Sequence, residues 1–478
     1  MLFNSFQFLI FFPLVTLIYF LLPHKWRWLH LLVASCIFYT AFIPVYILIL
    51  IFTIIIDYIA GILIENADGD KRKWLLTMSI IANVGVLAVF KYFNFFVSNI
   101  NSLLAGLHIA THPLPYWDII LPIGLSFHTF QAMSYTIEVY RGNQPAERHF
   151  GIYALYVLFY PQLVAGPIER PQNLLHQFRE KHLFDNERVA KGLRLMLWGL
   201  FIKVVIADRL ATYVNPVYNN LPEHNGTTIL LATLFFSIQI YCDFAGYSYI
   251  AIGSAQVMGF KLMTNFKRPY FARNISEFWS RWHISLSTWF RDYVYIPLGG
   301  NRVKRSRWYF NLFIVFLISG FWHGADWKYV IWGGLHGFYL VFALLTADSR
   351  SGFNELSVFA KSPRLLHFIQ TISTFVLCAF AWIFFRANSV SDACLAIKKI
   401  FLIRGSIFGG NNPALLPYCA VGILILAIVD YKTEFLKGRY PLFTNKSMLI
   451  RYISYTFLII TILLIGVFDS GQFIYFQF

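Results

Sequence analysis

An all-α polytopic membrane protein is the fold class this sequence predicts, on three observations: an apolar composition, apolar runs about as long as a membrane span, and basic residues gathered between those runs. Of the 478 residues, 58% are hydrophobic, 19% aromatic and only 13% charged, and the mean hydropathy is +0.59. Soluble domains carry about 25% charged residues. Most of this chain is therefore suited to a non-aqueous solvent.

A bilayer's hydrocarbon core is roughly 30 Å thick and takes about 20 apolar residues as helix. Such runs fall at 2–22, 45–64, 75–97, 193–207, 228–253, 308–322, 328–346, 367–385, 414–430 and 450–468. Three others, at 31–43, 119–139 and 150–166, are short or interrupted by Pro and Gly. They read as tilted or re-entrant pieces, which a membrane tolerates only where protein or a water-filled cavity covers the backbone. The first 22 residues lack the basic start and the Ala-x-Ala-like end of a cleavable signal, and read as the first span.

Basic residues set the expected orientation. Lys25 and Arg27 after the first span, and Lys71, Arg72 and Lys73 before the run at 75–97, place those loops in the cytosol and the N-terminus outside. The densest basic region is 261–307, where ten Lys and Arg residues face only Glu277 and Asp292; it too is expected to touch the cytosol. A net charge of +16 then follows from insertion and from contact with anionic lipid heads. The cations are spread between spans and form no recognised nucleic-acid module, so nucleic acid is excluded as a partner. The five cysteines include no C-x-x-C pair and lie mostly in apolar runs, as small buried fillers; no metal site is expected.

Two histidines 40 residues apart carry the chemistry: His283 in "FWSRWHISLSTWFRDYVYIPLGGNR" and His323 in "SGFWHGADW". A neutral imidazole is the side chain suited to proton transfer near pH 7. From Arg307 to His323 is 16 residues, about 24 Å as helix. With Arg307 at the cytosolic surface, His323 reaches the outer half of the membrane. His283 approaches it only if its segment dips inward as a re-entrant element, with Pro297, Gly299 and Gly300 making the exit turn.

Other polar residues in apolar runs have structural readings. Asp57 and Asp243 are costly in lipid and must face a cavity or a partner; Asp243 either orients an imidazole or pairs with an arginine of 261–307. Glu169 and Arg170 in "VAGPIERP" are expected to pair, in a loop broken by Gly166, Pro167 and Pro171. His336 lies 13 residues after His323, not on an adjacent turn of its face, and reads as packing or as a secondary hydrogen bond. His128 reads as packing.

The strings "LPIGLSFHTFQAMSYTIEVYRG" (121–142), "FYPQLVAGPIERPQNLL" (159–175), "YCDFAGYSYIAIG" (241–253), "FWSRWHISLSTWFRDYVYIPLGGNR" (278–302) and "FWHGADWKYVIWGGLHG" (321–337) occur in that order. Together they resemble the membrane-bound O-acyltransferases, specifically the alginate O-acetyltransferase branch, with the teichoic acid D-alanyltransferases a more distant likeness. Tyr249 stands where the branch usually has an acid, so no acidic role is assigned there. The resemblance implies a bundle of roughly 11 transmembrane helices with re-entrant segments around a central tunnel. It also implies a single integral-membrane domain over 1–478, with a catalytic core of about 119–340. The implied reaction takes an acetyl group from cytosolic acetyl-coenzyme A to a hydroxyl of an extracytoplasmic polysaccharide, directly or through a partner transferase. Alginate, another exopolysaccharide such as cellulose, or peptidoglycan are candidate acceptors. The principal catalytic histidine of the family maps onto His323, and its upstream polar partner onto His283. The resemblance places the protein in a bacterial inner membrane beside an extracytoplasmic acetyltransferase or polysaccharide-assembly subunit.

The phosphates of such a donor require cations, and Arg302, Lys304, Arg305 and Arg307 lie beside the expected tunnel mouth. Two readings stay open beside acyl transfer: a proton-coupled transporter or flippase of an envelope precursor, using embedded His and Asp, and a non-catalytic scaffold. The C-terminal "FDSGQFIYFQF", with Phe473, Tyr475, Phe476 and Phe478, either packs the last span or forms an outer docking surface.

Overall fold

The computed structural model describes residues 1–109, 113–164, 166–347, 349, 362–408, 413–436, 445, 447–468 and 474. Every regular element among them is helical, as the composition predicts. The aromatic tail residues Phe473, Tyr475, Phe476 and Phe478 lie outside the described residues.

Seven helices among the described residues are long and apolar enough to cross a membrane: Pro44–Glu65, Gly69–Gly106, Gly226–Met258, Trp327–Leu345, Pro363–Arg386, Leu415–Phe435 and Met448–Ile465. Phe6–Leu21 is apolar but only 16 residues long. Arg305–His323 has the length but carries Arg305, Arg307, Asn311 and His323. Length and composition alone therefore mark fewer spans than the roughly 11 expected. Outward-facing Leu9, Leu14, Leu17, Leu463 and Leu464 are all more than half exposed, the pattern of a surface solvated by lipid.

The chain forms two compact units, residues 1–196 with 248–263, and residues 197–247 with 264–478. In the first, several buried polar groups pair with one another. Asp57 is fully buried and accepts from Ser79 Oγ at 2.6 Å and from Asn83 Nδ2 at 2.9 Å. His128 Nε2 meets Thr53 Oγ1 at 2.5 Å. Glu169 takes the backbone N–H of Met263 as well as a 3.5 Å bond from Asn173, so a loop anchor accompanies the attraction to Arg170. Arg27 is not a free surface charge: its guanidinium donates to the carbonyls of Leu22 and His182 and lies 4.8 Å from the Tyr19 ring centroid. It fastens the chain where Pro23 separates two helices.

In the second unit, Asp243 corrects the sequence expectation. Its partner is Lys203, whose Nζ lies 2.5 Å from Asp243 Oδ1 and 2.7 Å from Asp208 Oδ1, all three side chains at most 5% exposed. Lys203 sits in a π-helical turn, Ile202–Ala207. Such a turn widens the hydrogen-bond ladder, and here Val204 O accepts from Val467 N at 2.9 Å. Asp243 Oδ2 also accepts from Ile474 N at 2.8 Å.

The element that sets the site is a helical hairpin, Arg305–His323 and Trp327–Leu345. The first helix ends at Gly324, and Asp326 caps the second by accepting from Lys328 N at 2.9 Å. Gly320 and Gly333 let the backbones nearly touch. A Cβ on either glycine would lie 3.0 Å from the other's Cα, the small-residue contact that packs membrane helices closely. Gly320→Val is expected to cost about 1–3 kcal/mol by overpacking, read as a lower thermal midpoint in detergent. Gly334→Val, where the nearest atom is Leu317 Cδ2 at 3.4 Å, is the control and should leave the midpoint nearly unchanged. Equal midpoints for the two variants would refute the close crossing.

Candidate active site

His323 is the last residue of its helix and is 3% exposed. The hairpin turn directs the next helix back past it. Its ring lies 4.9 Å from Trp332, edge-on at 88°, 4.9 Å from Trp322 and 5.6 Å from Phe385. Each of these three rings is apolar in body and packs against the imidazole.

His283 reaches the same cluster by a different route. It links two short helices, Ile275–Arg281 and Ile284–Phe290, and takes a left-handed conformation with φ 42°. That region is unfavourable for a side chain with a Cβ, and such residues persist where their surroundings over-determine them. Asn265 does so here. Its carbonyl accepts from Ile284 N at 2.9 Å, while its Oδ1 accepts from Ser285 N at 3.2 Å and Ser285 Oγ at 3.0 Å. The fully buried imidazole then sits 4.6 Å from Phe244 and 6.4 Å from Trp322. Trp322 is thus shared by both histidines, which the structure brings into one aromatic box.

The exit turn predicted at Pro297–Gly300 is present, with Gly299 at φ 103° and Gly300 at φ 55°. Asn311 Nδ2 holds it by donating to Leu298 O and Gly300 O, both at 3.1 Å.

His336 joins the box as well, which sequence spacing did not suggest. It is fully buried, 5.1 Å from Trp332, and its Nδ1 accepts from Trp279 Nε1 at 3.3 Å. The packing and hydrogen bond expected of His336 are both present, and the chain reversal at Gly324–Asp326 brings it there. The signal was the Gly320 and Gly333 pair, which allows the reversed helix to lie against the first.

Arg302, Lys304, Arg305 and Arg307 are exposed around the start of the helix that ends at His323. Arg268, Arg273, Arg281 and Arg291 are engaged by carboxylates, from Glu434, Glu277 and Asp292. Burial alone would raise the Glu277 carboxyl, but the Arg273 N–H and the Arg281 guanidinium outweigh it and hold that group below its ordinary range. A cleft of about 240 Å³ is lined by Trp279, Leu286, Phe290, Phe316 and Ser319, with Arg291 also on its wall. Leu286 is one turn beyond His283 and Ser319 one turn before His323. Among the described residues no three His, Cys, Asp or Glu side chains are grouped to hold a metal ion.

The matches to known proteins fall on this region. A sequence model of the membrane-bound O-acyltransferase family matches residues 149–387, which include all three histidines of the box. The chain is 37% identical to the probable alginate O-acetylase of Pseudomonas aeruginosa over 430 residues, 89% of this chain and 79% of that protein. It is 38% identical to the corresponding protein of Pseudomonas syringae pv. tomato over 434 residues, 89% and 80% of the two chains. With the peptidoglycan O-acetyltransferase of Helicobacter pylori it shares 36% identity over 418 residues, 80% and 75% of the two.

Asn265→Ala removes two bonds to Ser285 and frees the strained backbone at His283, a cost of about 1–3 kcal/mol. Asn265→Asp retains the acceptor oxygen and should recover most of the lost thermal midpoint in detergent. If both variants melt like the parent protein, Asn265 does not hold the His283 turn.

Proposed function

We propose, starting from the fact that this chain belongs to the membrane-bound O-acyltransferase family, that it transfers an acetyl group from cytosolic acetyl-coenzyme A to a hydroxyl of an extracytoplasmic polysaccharide. The observation that carries this reading is the packing of His283 and His323 around Trp322 in one buried aromatic box. Relatives named for alginate and peptidoglycan O-acetylation support a polysaccharide acceptor. Alginate, another exopolysaccharide such as cellulose, and peptidoglycan all fit a site that needs only a hydroxyl. An inner-membrane location follows from the same reading.

A hydroxyl is a weak nucleophile at neutral pH, and a neutral imidazole that takes its proton during attack supplies the main acceleration. His323 is assigned as that base. The hydroxyl oxygen bonds to the thioester carbonyl carbon, its proton passes to the imidazole, and the carbon–sulfur bond breaks as the tetrahedral centre collapses. The departing thiolate takes a proton, and since thiol pKa values lie near about 8.5 it needs little help to leave. His283 is assigned to orienting the thioester. An acetyl group carried briefly on His323 is a variant of the same chemistry.

The donor's phosphates are assigned to the exposed Arg302, Lys304, Arg305 and Arg307. A helix start favours anions, so four cations there add to a field that attracts phosphate. The donor's slender acyl arm suits the largely apolar cleft lined by Leu286 and Ser319, residues three and four positions from His283 and His323 in the chain. The catalytic core of about 119–340 acts beside an extracytoplasmic transferase or polysaccharide-assembly subunit that receives or distributes the acetyl group.

His323→Ala should lower acetyl transfer at least about 10²-fold while leaving the thermal midpoint in detergent near that of the parent. His283→Ala should also impair transfer, and the double variant should be scarcely worse than His323→Ala alone, because groups acting as a unit are not additive. Labelled acetyl-coenzyme A and a soluble oligosaccharide acceptor provide the assay. Parent-like turnover by well-folded His323→Ala would remove the catalytic assignment.

A further inference from the structure

Around the histidines lies a set of buried N–H groups that have no acceptor among the described residues. Trp282, Trp332 and Trp382 are each 0% exposed, and none of their indole N–H groups has an acceptor among the described residues. They form one contiguous run, with ring centroids 5.1 Å apart for Trp282 and Trp382 and 5.5 Å apart for Trp382 and Trp332. Trp279 differs, because its N–H is spent on His336 Nδ1. That bond fixes the remaining proton of neutral His336 on Nε2, and His336 Nε2 also has no partner among the described residues. Folded proteins leave few such groups unmade, since each carries a desolvation penalty. Four in one box mark a place where acceptors arrive from outside the chain.

We infer that the Nε1–H of Trp332 is a catalytic donor that binds the acyl oxygen beside His323. Of the three unused indoles, Trp332 is the one in ring contact with His323, at 4.9 Å and 88°. This inference rests on the acyl-transfer reading above. When the acceptor oxygen attacks, the carbonyl π electrons move onto the acyl oxygen as its proton goes to His323. The resulting oxyanion needs a donor already in position. An indole suits the task because it donates only and does not compete with the imidazole as a base. When the tetrahedral centre collapses, the electron pair returns to form the new ester carbonyl and the carbon–sulfur bond breaks. Trp382, stacked on Trp332, supports the ring from behind and is not assigned a bond to substrate.

The test replaces Trp332 with 3-benzothienylalanine, which keeps the bicyclic shape and substitutes sulfur for the N–H. The assay is transfer from labelled acetyl-coenzyme A to the oligosaccharide acceptor. The expected result is a fall in kcat of about 10²-fold with KM for the donor nearly unchanged and an unaltered thermal midpoint. Turnover within about threefold of the parent, or a loss of activity that tracks a lower midpoint, would overturn the assignment. His323→Ala is run in parallel. If it abolishes transfer while the Trp332 replacement does not, only the donor inference fails; if it too retains transfer, the assignment of His323 as base fails with it, and a parent protein that moves no label to the acceptor ends the acyl-transfer reading.

Discussion

Backbone polar groups left unpaired in hydrocarbon cost several kcal/mol each, and this constraint explains how a site built from irregular segments persists in so apolar a chain. Four departures from regular helix in the second unit have polar partners. Asn265 holds the kink at His283, and Asn311 holds the turn that follows. Lys328 Nζ caps the carbonyl of Ala387 at 2.6 Å where the helix Pro363–Arg386 ends. The π-helical turn at Ile202–Ala207 gives a carbonyl to Val467. With these partners in place, a histidine can be carried on a left-handed residue without the segment unravelling.

Rings then replace water around the two imidazoles. Edge-on aromatic contacts favour specific angles and add modest energy beyond burial, and Trp332, Trp322 and Phe385 supply such contacts around His323. The buried ionic set lies on other residues: Lys203 pairs with both Asp208 and Asp243, while the box is built of aromatic rings and imidazoles. Removing one member of a buried charged set is more damaging than never having it. The cluster therefore reads as a structural fastening.

Much of this was legible in the sequence. The apolar runs at 45–64, 228–253 and 328–346 became Ile47–Glu65, Gly226–Met258 and Trp327–Leu345, because a span needs only length and hydropathy. The turn at Gly299 and Gly300 was visible because few residues other than glycine adopt positive φ readily. What was hidden depends on long-range crossing. Lys203 as the partner of Asp243 lies 40 residues away on another helix, and His336 enters the box only because the hairpin folds back. The helix Val390–Leu402 went unseen because it is short and polar on one face, too short to register as a span.

The central claim is that an acetyl group crosses the membrane through this box, from a donor on the face bearing Arg302 to Arg307 to an acceptor on the other. Proteoliposomes of uniform orientation test it directly, with labelled acetyl-coenzyme A confined to the face that carries those cations and a polysaccharide acceptor confined to the opposite face. The account predicts label on the acceptor, lost in His323→Ala. Label appearing only when donor and acceptor share one face would contradict it.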